Sequence, residues 1–450
     1  MLDLLSSRRP QRNGDGSTRR DFLKIGALGL ASGLTLPQLL RARAAAAETG
    51  SPKKNTSVIL LSLFGGASQK ETFDPKPEAT KEHRCLFETT ATTLPGTRFC
   101  SLLPGMARLT DRLAVVRTLV HQDSGHDGGV HWVKTGYPYP PQFRNKGSGI
   151  PQTHPSMGSI VARCRQPINP HTGVPTYALC RDPVCHRDLP PLSDHAAWLG
   201  QAHGPFVCAE RHNTMLGNLT LKVAHDRLED RRTLLAQFDR LDRAIDQGDV
   251  MRGMDGFQQQ AVNMLRGKAK EALDLTREPL KLREKYGPAL GQQLLLARRL
   301  CEAGAGYVTV HSMGWDHHDD IIPGCRLVCP PLDQAVTAFL EDVHQRGLTD
   351  DILLVITGEF GRTPYMKGTG RDHWPDINNI VFAGGGLKMG QVIGESDKRG
   401  GSPRTRPVGP QDLMATIFHV LGIDPNVQFV HPSGRPIPMI EGGKAIEELV

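Results

Sequence analysis

The stretch Val308-Thr309-Val310-His311-Ser312-Met313-Gly314-Trp315-Asp316-His317-His318-Asp319-Asp320 decides how this chain of 450 residues is read. A β-branched run ends in a burst of imidazoles and carboxylates. The run has the composition of a short buried strand, and the burst that of the loop at its C-terminal edge. In open α/β sheets that edge is where ligands bind. Two similar segments lie downstream, Ile352-Leu353-Leu354-Val355-Ile356-Thr357-Gly358-Glu359-Phe360-Gly361-Arg362 and Gly370-Arg371-Asp372-His373-Trp374-Pro375. Three acid- or histidine-rich loops around two strand ends predict one polar site, with a metal in it.

Outward from these strands, apolar runs alternate with helical patterns. Ser57 to Phe64 is a near-continuous apolar run of the kind found in central parallel strands, and it runs into the tight loop Gly65-Gly66-Ala67-Ser68. Leu113 to Leu119 is a second strand, followed by the polar segment His121 to His131, read locally as a loop. Ser156 to Arg165 predicts a helix and Pro175 to Cys180 a strand. Asp226 to Gln247 carries Leu228, Leu234, Leu235, Phe238, Leu241 and Ile245 on one helical stripe. The block around 181–288 therefore reads as a helical insertion beside the sheet. Gly291 to Ala303 and Leu332 to Gln345 are helices feeding the His311 and Glu359 strands. Asn379 to Ala383 is a further strand, and Pro410 to Leu421 a closing helix with Pro at its start. This alternation predicts an α/β fold: a mostly parallel sheet with helices on both faces.

Composition is that of an ordinary globular protein, with 38% hydrophobic and 22% charged residues. The formal charge of +7 is no nucleic-acid footprint, because eight Lys/Arg against three Asp in residues 1–47 supply +5 of it. There is no basic stripe with interleaved aromatics, so nucleic acid is not an expected partner. In those first residues, Thr18-Arg19-Arg20-Asp21-Phe22-Leu23-Lys24 precedes an apolar run from Ile25 to Leu40 and then Arg41-Ala42-Arg43-Ala44-Ala45-Ala46-Ala47. Basic region, apolar region and small-residue cleavage site are the parts of a secretory signal, and the paired arginines resemble a twin-arginine (Tat) signal. The apolar run is short of the roughly 20 residues that span a bilayer. Cleavage near Ala46 or Ala47 is expected, leaving a mature domain over 48–450 with no stable transmembrane span; an uncleaved anchor is the alternative. The implied location is periplasmic or extracellular, with the Tat export machinery as a partner. The nine Cys, all after the signal, are an odd count, and most read as ordinary buried thiols.

The candidate metal ligands are Asp316, His317 or His318, Glu359 and His373. Imidazole with carboxylate suits zinc, manganese or iron(II); zinc is expected, with manganese or calcium as alternatives. Which of the adjacent His317 and His318 ligates is open at this level. Glu359 can equally be an acid/base or a partner of Arg362, whose planar fork matches sulfate, phosphate or carboxylate. In the segment 121–131, Ser124 and His126 are candidate nucleophile or base, since a serine needs a neighbouring base or metal to attack. Asp127 is a candidate to orient His126, and His131 a further catalytic candidate. Ser68, His311 and Asp372 are candidate substrate contacts. A serine-hydrolase triad is disfavoured because Gly-x-Ser-x-Gly is absent.

Several motifs together resemble one bacterial group. They are Leu63-Phe64-Gly65-Gly66-Ala67-Ser68 followed by Thr72-Phe73-Asp74-Pro75-Lys76-Pro77, Gly125-His126-Asp127-Gly128-Gly129-Val130-His131, Gly314-Trp315-Asp316, Gly358-Glu359-Phe360-Gly361-Arg362-Thr363-Pro364 and Arg371-Asp372-His373-Trp374-Pro375. With the Tat-type signal they resemble family 1501 of the domains of unknown function, exported proteins similar to sulfatases. The resemblance covers nearly the whole mature chain and implies the alkaline-phosphatase-like α/β fold. In that superfamily the nucleophile opens a helix that ends in a Thr-Gly element. Thr135-Gly136-Tyr137-Pro138 resembles that element, and the same interval counted back lands on His126, with Ser124 two residues earlier. An Asp and His after a middle strand, an acid at the next strand end and a later His bind metal there. Asp316 with His318, Glu359 and His373 fall in that order.

The departures are specific. The Cys/Ser-x-Pro-x-Arg formylglycine signature is absent. Gly65-Gly66-Ala67 stands where the first strand should end in Asp, with Asp74 the nearest aspartate, and Glu359-Phe360 replaces an Asp-His pair. They argue against a complete two-zinc site and leave one metal or none. The leading expectation is an exported metal-dependent hydrolase of a sulfate or phosphate ester. The alternative is a degenerate relative that binds a sulfated or phosphorylated polysaccharide, or a protein partner, without turnover.

Overall fold

The computed structural model describes residues 56–143, 152–181, 194–208 and 268–450. The expected signal in 1–47 and the expected Asp226–Gln247 helix lie outside the described residues. Among those described, eight strands form one sheet: β1 (Ser57–Leu63), β2 (Ala114–Leu119), β3 (Tyr177–Cys180), β4 (Phe206–Cys208), β5 (Tyr307–Ser312), β6 (Ile352–Thr357), β7 (Asn378–Gly384) and β8 (Gln391–Ile393). Their order is β8-β2-β7-β6-β1-β5-β3-β4. Only β7 runs against its neighbours; the remaining pairs are parallel. The mostly parallel sheet expected from the sequence is present.

The central strands are buried on both faces, which is why they read as unbroken apolar runs. Side chains alternate across a strand. Ile59, Leu61, Val308, Val310, Leu354 and Ile356 share one core with the helices α3 (Leu290–Glu302) and α4 (Ile321–Gln345). Leu60, Ser62 and Thr357, of the other parity, meet Val130 and Val133 of α1 (His126–Thr135). On that face α1 packs against α5 (Pro410–Leu421), while α2 (Met157–Arg165) packs on β3 and β5. Helices thus cover both faces. Among the described residues no helix is long and apolar enough to cross a membrane, and the eight described cysteines are free thiols. The described part of a second compact unit, Asn426–Met439, is an antiparallel hairpin pairing Gln428–Val430 with Pro436–Pro438.

Three elements differ from their sequence reading. Phe206–Cys208, in the block around 181–288 read as a helical insertion, is instead the edge strand β4 of the sheet, paired with β3. α4 begins at Ile321 rather than Leu332 and carries Pro330 and Pro331 in its interior. A Pro-Pro step reads as a helix start because proline lacks the N–H an interior position needs, but here the preceding turn is already helical. The segment read as a loop from His121 to His131 turns helical at His126. Its Gly128-Gly129 pair hid the helix. Those glycines are there for space: a Cβ at Gly128 would overlap the Asp123 carboxylate, and one at Gly129 would press on Phe360.

The strands β1, β2, β5 and β6 all end at one edge of the sheet, and β7 starts there. The loops of that edge are tied by a fully buried pair, in which Arg371 donates from Nε and Nη2 to Glu71 Oε2 and Oε1 at 3.2 and 3.1 Å. Ser68 Oγ and the Leu86 N–H also donate to Glu71. Removing one partner of a buried pair strands the other, at a cost of about 3–5 kcal/mol. Glu71→Ala is therefore expected to lower unfolding free energy by about 3–5 kcal/mol in denaturant titration. A loss under about 1 kcal/mol would mean that the loops are held by something else.

Candidate metal centre

Four segments meet at this edge. The loop after β5 brings Asp316 and His318, the loop after β6 brings Glu359, α1 opens with His126, and the segment before β7 brings His373. One ligand atom from each of His126, Asp316 and His373 lies within 4.8 Å of the others. His373 Nε2 is 3.1 Å from Asp316 Oδ1, and His126 Nε2 is 3.1 Å from Asp316 Oδ2. His318 Nε2 joins them, 3.2 Å from Asp316 Oδ1 and 2.9 Å from His373 Nε2. Asp316 and His318 are each about two-fifths exposed, so the cluster opens to solvent.

The other ring nitrogens fix what these atoms are. His373 Nδ1 lies 2.7 Å from the Ser124 carbonyl, which can only accept, so Nδ1 carries the hydrogen. His318 Nδ1 faces the Asp372 carboxylate at 2.9 Å. His126 Nδ1 faces Glu359 Oε1 at 2.7 Å, an oxygen that also accepts the Gly65 N–H at 2.9 Å. Each imidazole donates from Nδ1, so in the neutral ring Nε2 is a lone pair. Three such lone pairs converge on one carboxylate. Acceptors alone repel; a shared cation or proton holds them together. Metal-binding histidines are oriented in this way, with the far N–H given to a carboxylate or carbonyl. Zinc ligands at 2.0–2.1 Å in a tetrahedron stand about 3.3–3.4 Å apart, close to the spacings here. The donor set fits one divalent cation.

A proton already marks the place. Burial alone would lower the His126 pKa, but hydrogen bonds to Asp316 and Glu359 outweigh it and raise the pKa to about 9. Burial likewise works against the Asp316 charge, yet His126, His373 and Arg362 hold its carboxyl well below the usual range. At neutral pH, His126 thus carries a proton on Nε2 where a cation would otherwise sit.

The remaining candidates fall into place around this cluster. Glu359 is buried and lies behind His126 as its hydrogen-bond acceptor, the orienting place expected of Asp127. Asp127 lies half-buried in the first turn of α1. Arg362 is buried, and its fork donates to the carbonyls of Gly65, Gly66 and Arg371 and to Asp316 Oδ1 at 2.5 Å. It braces Asp316 rather than offering an open clamp to an oxyanion. Of the adjacent histidines only His318 reaches the cluster, since His317 Nδ1 lies 4.0 Å from Cys325 Sγ and burial lowers its pKa. Asp372 serves His318 and Lys367. Ser124 is exposed beside the cluster.

Three candidates are drawn elsewhere. His131 is buried, stacked on Tyr139 at 4.2 Å, and burial pushes its pKa down to about 3, so it is neutral. His311 is buried against Asp194 at 2.8 Å and Lys134 at 3.2 Å. Ser68 donates to Glu71. None of the three is an open substrate contact in this structure. Asp74, the nearest aspartate after β1, faces Lys76 and Arg117.

The sequence reading missed Asp123, Gly65 and the pair Lys134–Asp194. Asp123 Oδ1 accepts the Gly125 N–H ahead of α1. Gly65 has φ +112°, and a Cβ there would overlap the Asp316 backbone, so the missing first-strand Asp is replaced by a close backbone approach. Lys134 gave a signal: it lies four residues after Val130 and directly after Val133.

No curated protein matches the sequence of this chain. Among solved structures it is similar to a sulfatase from Pseudoalteromonas sp., with 10% identity and a TM-score of 0.39 over 85% of this chain and 70% of that one. It is also similar to a phosphonate monoester hydrolase from Silicibacter pomeroyi, with 11% identity and a TM-score of 0.39 over 87% and 76%. A protein in the alkaline phosphatase superfamily from Vibrio parahaemolyticus gives 10% identity and a TM-score of 0.41 over 85% and 74%. Likenesses this remote assign no chemistry to the cluster. Residues 55–450 match the family described as "Protein of unknown function (DUF1501)", and the chain belongs to that family.

Proposed function

We propose that this chain is an exported, metal-dependent hydrolase of sulfate or phosphate esters, with the alkaline-phosphatase-like fold that its motifs resemble. The observation that carries the reading is the convergence of three Nδ1-committed imidazoles on one carboxylate at a sheet edge. His126, Asp316, His318 and His373 would hold the cation. Three nitrogens and one oxygen suit zinc, or manganese, better than oxygen-seeking calcium. When bound, the cation supplies a Lewis acid for the ester oxygens and lowers the pKa of an attacking water.

The chain's own residues do the positioning. Glu359 keeps the hydrogen on His126 Nδ1 and so leaves Nε2 for the cation. Arg362 fixes the Asp316 carboxylate from below, and Asp372 does the same for His318. His126 is engaged at both ring nitrogens, which suits a ligand more than a nucleophile. Exposed Ser124, two residues earlier, is the side-chain nucleophile left to this reading, with water the other. Residues 1–47 supply the Tat-type signal of the proposed export to the periplasm or beyond, with the export machinery as partner.

A second reading has its own observation: no Cys/Ser-x-Pro-x-Arg segment is present, and the helix opens on a histidine that is already engaged. On that reading the loaded protein binds a sulfated or phosphorylated polysaccharide, or a protein partner, without turnover. A saturable binding isotherm with no sulfate or phosphate released would select it.

Elemental analysis of protein purified without chelators tests the centre directly. Near-stoichiometric divalent metal is expected in the wild type and its loss in Asp316→Ala. Metal-free wild type that ignores added zinc or manganese would overturn the centre. His373→Ala is expected to abolish metal-dependent turnover of aryl sulfates or phosphates while circular dichroism stays unchanged; full activity in that variant would remove His373 from the site.

The raised His126 pKa sets a pH dependence. Below about pH 9 a proton occupies the ring nitrogen that the cation needs. The neutral fraction therefore rises with pH, and the apparent metal association constant should rise about tenfold per unit from pH 6 to 8. An affinity flat over that range would exclude His126 as a ligand.

A further inference from the structure

Behind the cluster, the second oxygen of Glu359 stands apart from its first. Oε1 takes the Gly65 and His126 hydrogens, while buried Oε2 has no hydrogen-bond partner among the described residues. Glu359 is only 2% exposed, so bulk water does not reach it. Beside it lies a small cavity of about 10 Å³, lined by Ser62, Lys134, Thr357 and Glu359 and by apolar Leu60, Val130 and Val133. Across that cavity, Lys134 Nζ donates to Asp194 Oδ2 at 2.8 Å, and Asp194 Oδ1 accepts from Tyr177 at 2.9 Å. Lys134 and Asp194 are both buried.

The cavity has the size of one water and offers the two to four polar partners that a buried water requires. We infer that one ordered water bridges Lys134 Nζ and Glu359 Oε2, and that Lys134 is a positioning residue for His126, acting through this water and Glu359. The inference rests on the metal-centre reading above. The chain Tyr177–Asp194–Lys134–water–Glu359–His126 then runs from the core to the cluster. It fixes the plane of the Glu359 carboxylate, and through it the ring of His126. Removing a partner one step behind a ligand, the place of Glu359, typically changes metal affinity about 10–100-fold, and Lys134, one water further back, falls at the low end of that range.

The test combines a crystal structure of the metal-free wild type with cobalt(II) titration of the wild type, Lys134→Met and Val130→Ile. Val130→Ile adds a methylene at the cavity and touches no polar group, so it stays informative if Lys134→Met fails to fold. An ordered water within about 3.2 Å of both Lys134 Nζ and Glu359 Oε2 is expected in the wild type, and none in Val130→Ile. Both variants should bind cobalt(II) about tenfold more weakly, with the thermal midpoint of Val130→Ile near that of the wild type. A dry cavity in the wild type overturns the inference, as does wild-type cobalt affinity in Val130→Ile. A bridging water in a wild type that binds no cobalt overturns the metal centre instead, and with it the positioning role.

Discussion

The Asp316 carboxylate stands between three imidazole nitrogens on its solvent side and the Arg362 guanidinium beneath it. A carboxylate in that position constrains everything around it. Arg362 must be buried and held by backbone carbonyls, which come from Gly65, Gly66 and Arg371. Gly65 must lack a side chain so that the end of β1 can pass against the Asp316 backbone. Arg371 must be neutralised where it is buried, and Glu71 does this from three hundred residues away in sequence. Three loops are therefore fixed by one charge, through partners that themselves require fixing.

This arrangement explains what the sequence revealed and what it withheld. The sheet was legible because strands buried on both faces are continuous apolar runs, as at Ile352–Thr357. The cluster was partly legible because carboxylates and imidazoles after such strands have few structural uses. Asp316 and His373 came from that density; the choice of His318 over His317 came from the family resemblance. The same density misplaced His311. It stands one residue before the end of β5, as its strand was read, but its side chain meets the buried Asp194, a contact between distant segments that the strand's own sequence does not carry.

What stayed hidden depends on contacts between distant segments. Arg362 has the chemistry of an anion clamp, and only the positions of three carbonyls show that its donors are committed. Glu359 has the chemistry of a ligand, and only the approach of Gly65 and His126 shows that it stands one step behind. Gly128-Gly129 looked like a flexible loop because low helix propensity is a local signal. The reason for those glycines, room for the Asp123 carboxylate and the Phe360 ring, is not local. The family resemblance placed a helix start at His126 correctly because it carries such long-range information within a motif.

The charges of the site bear on its proposed chemistry. Asp316, Glu359 and Asp372 bring three carboxylates, and Arg362 and Lys367 bring two cations in direct contact with them. Lys134 and Asp194 offset each other beneath. The cluster is thus one positive charge short, and a proton on His126 supplies it. Replacing that proton with a divalent cation would leave the cluster one charge in excess, facing solvent through the most exposed ligands. A neutral ester gains little from such a site. A sulfate monoester, with one negative charge, restores the balance on binding, and a phosphate monoester, with up to two, is likewise attracted; this is the physical reason to look first among anionic esters.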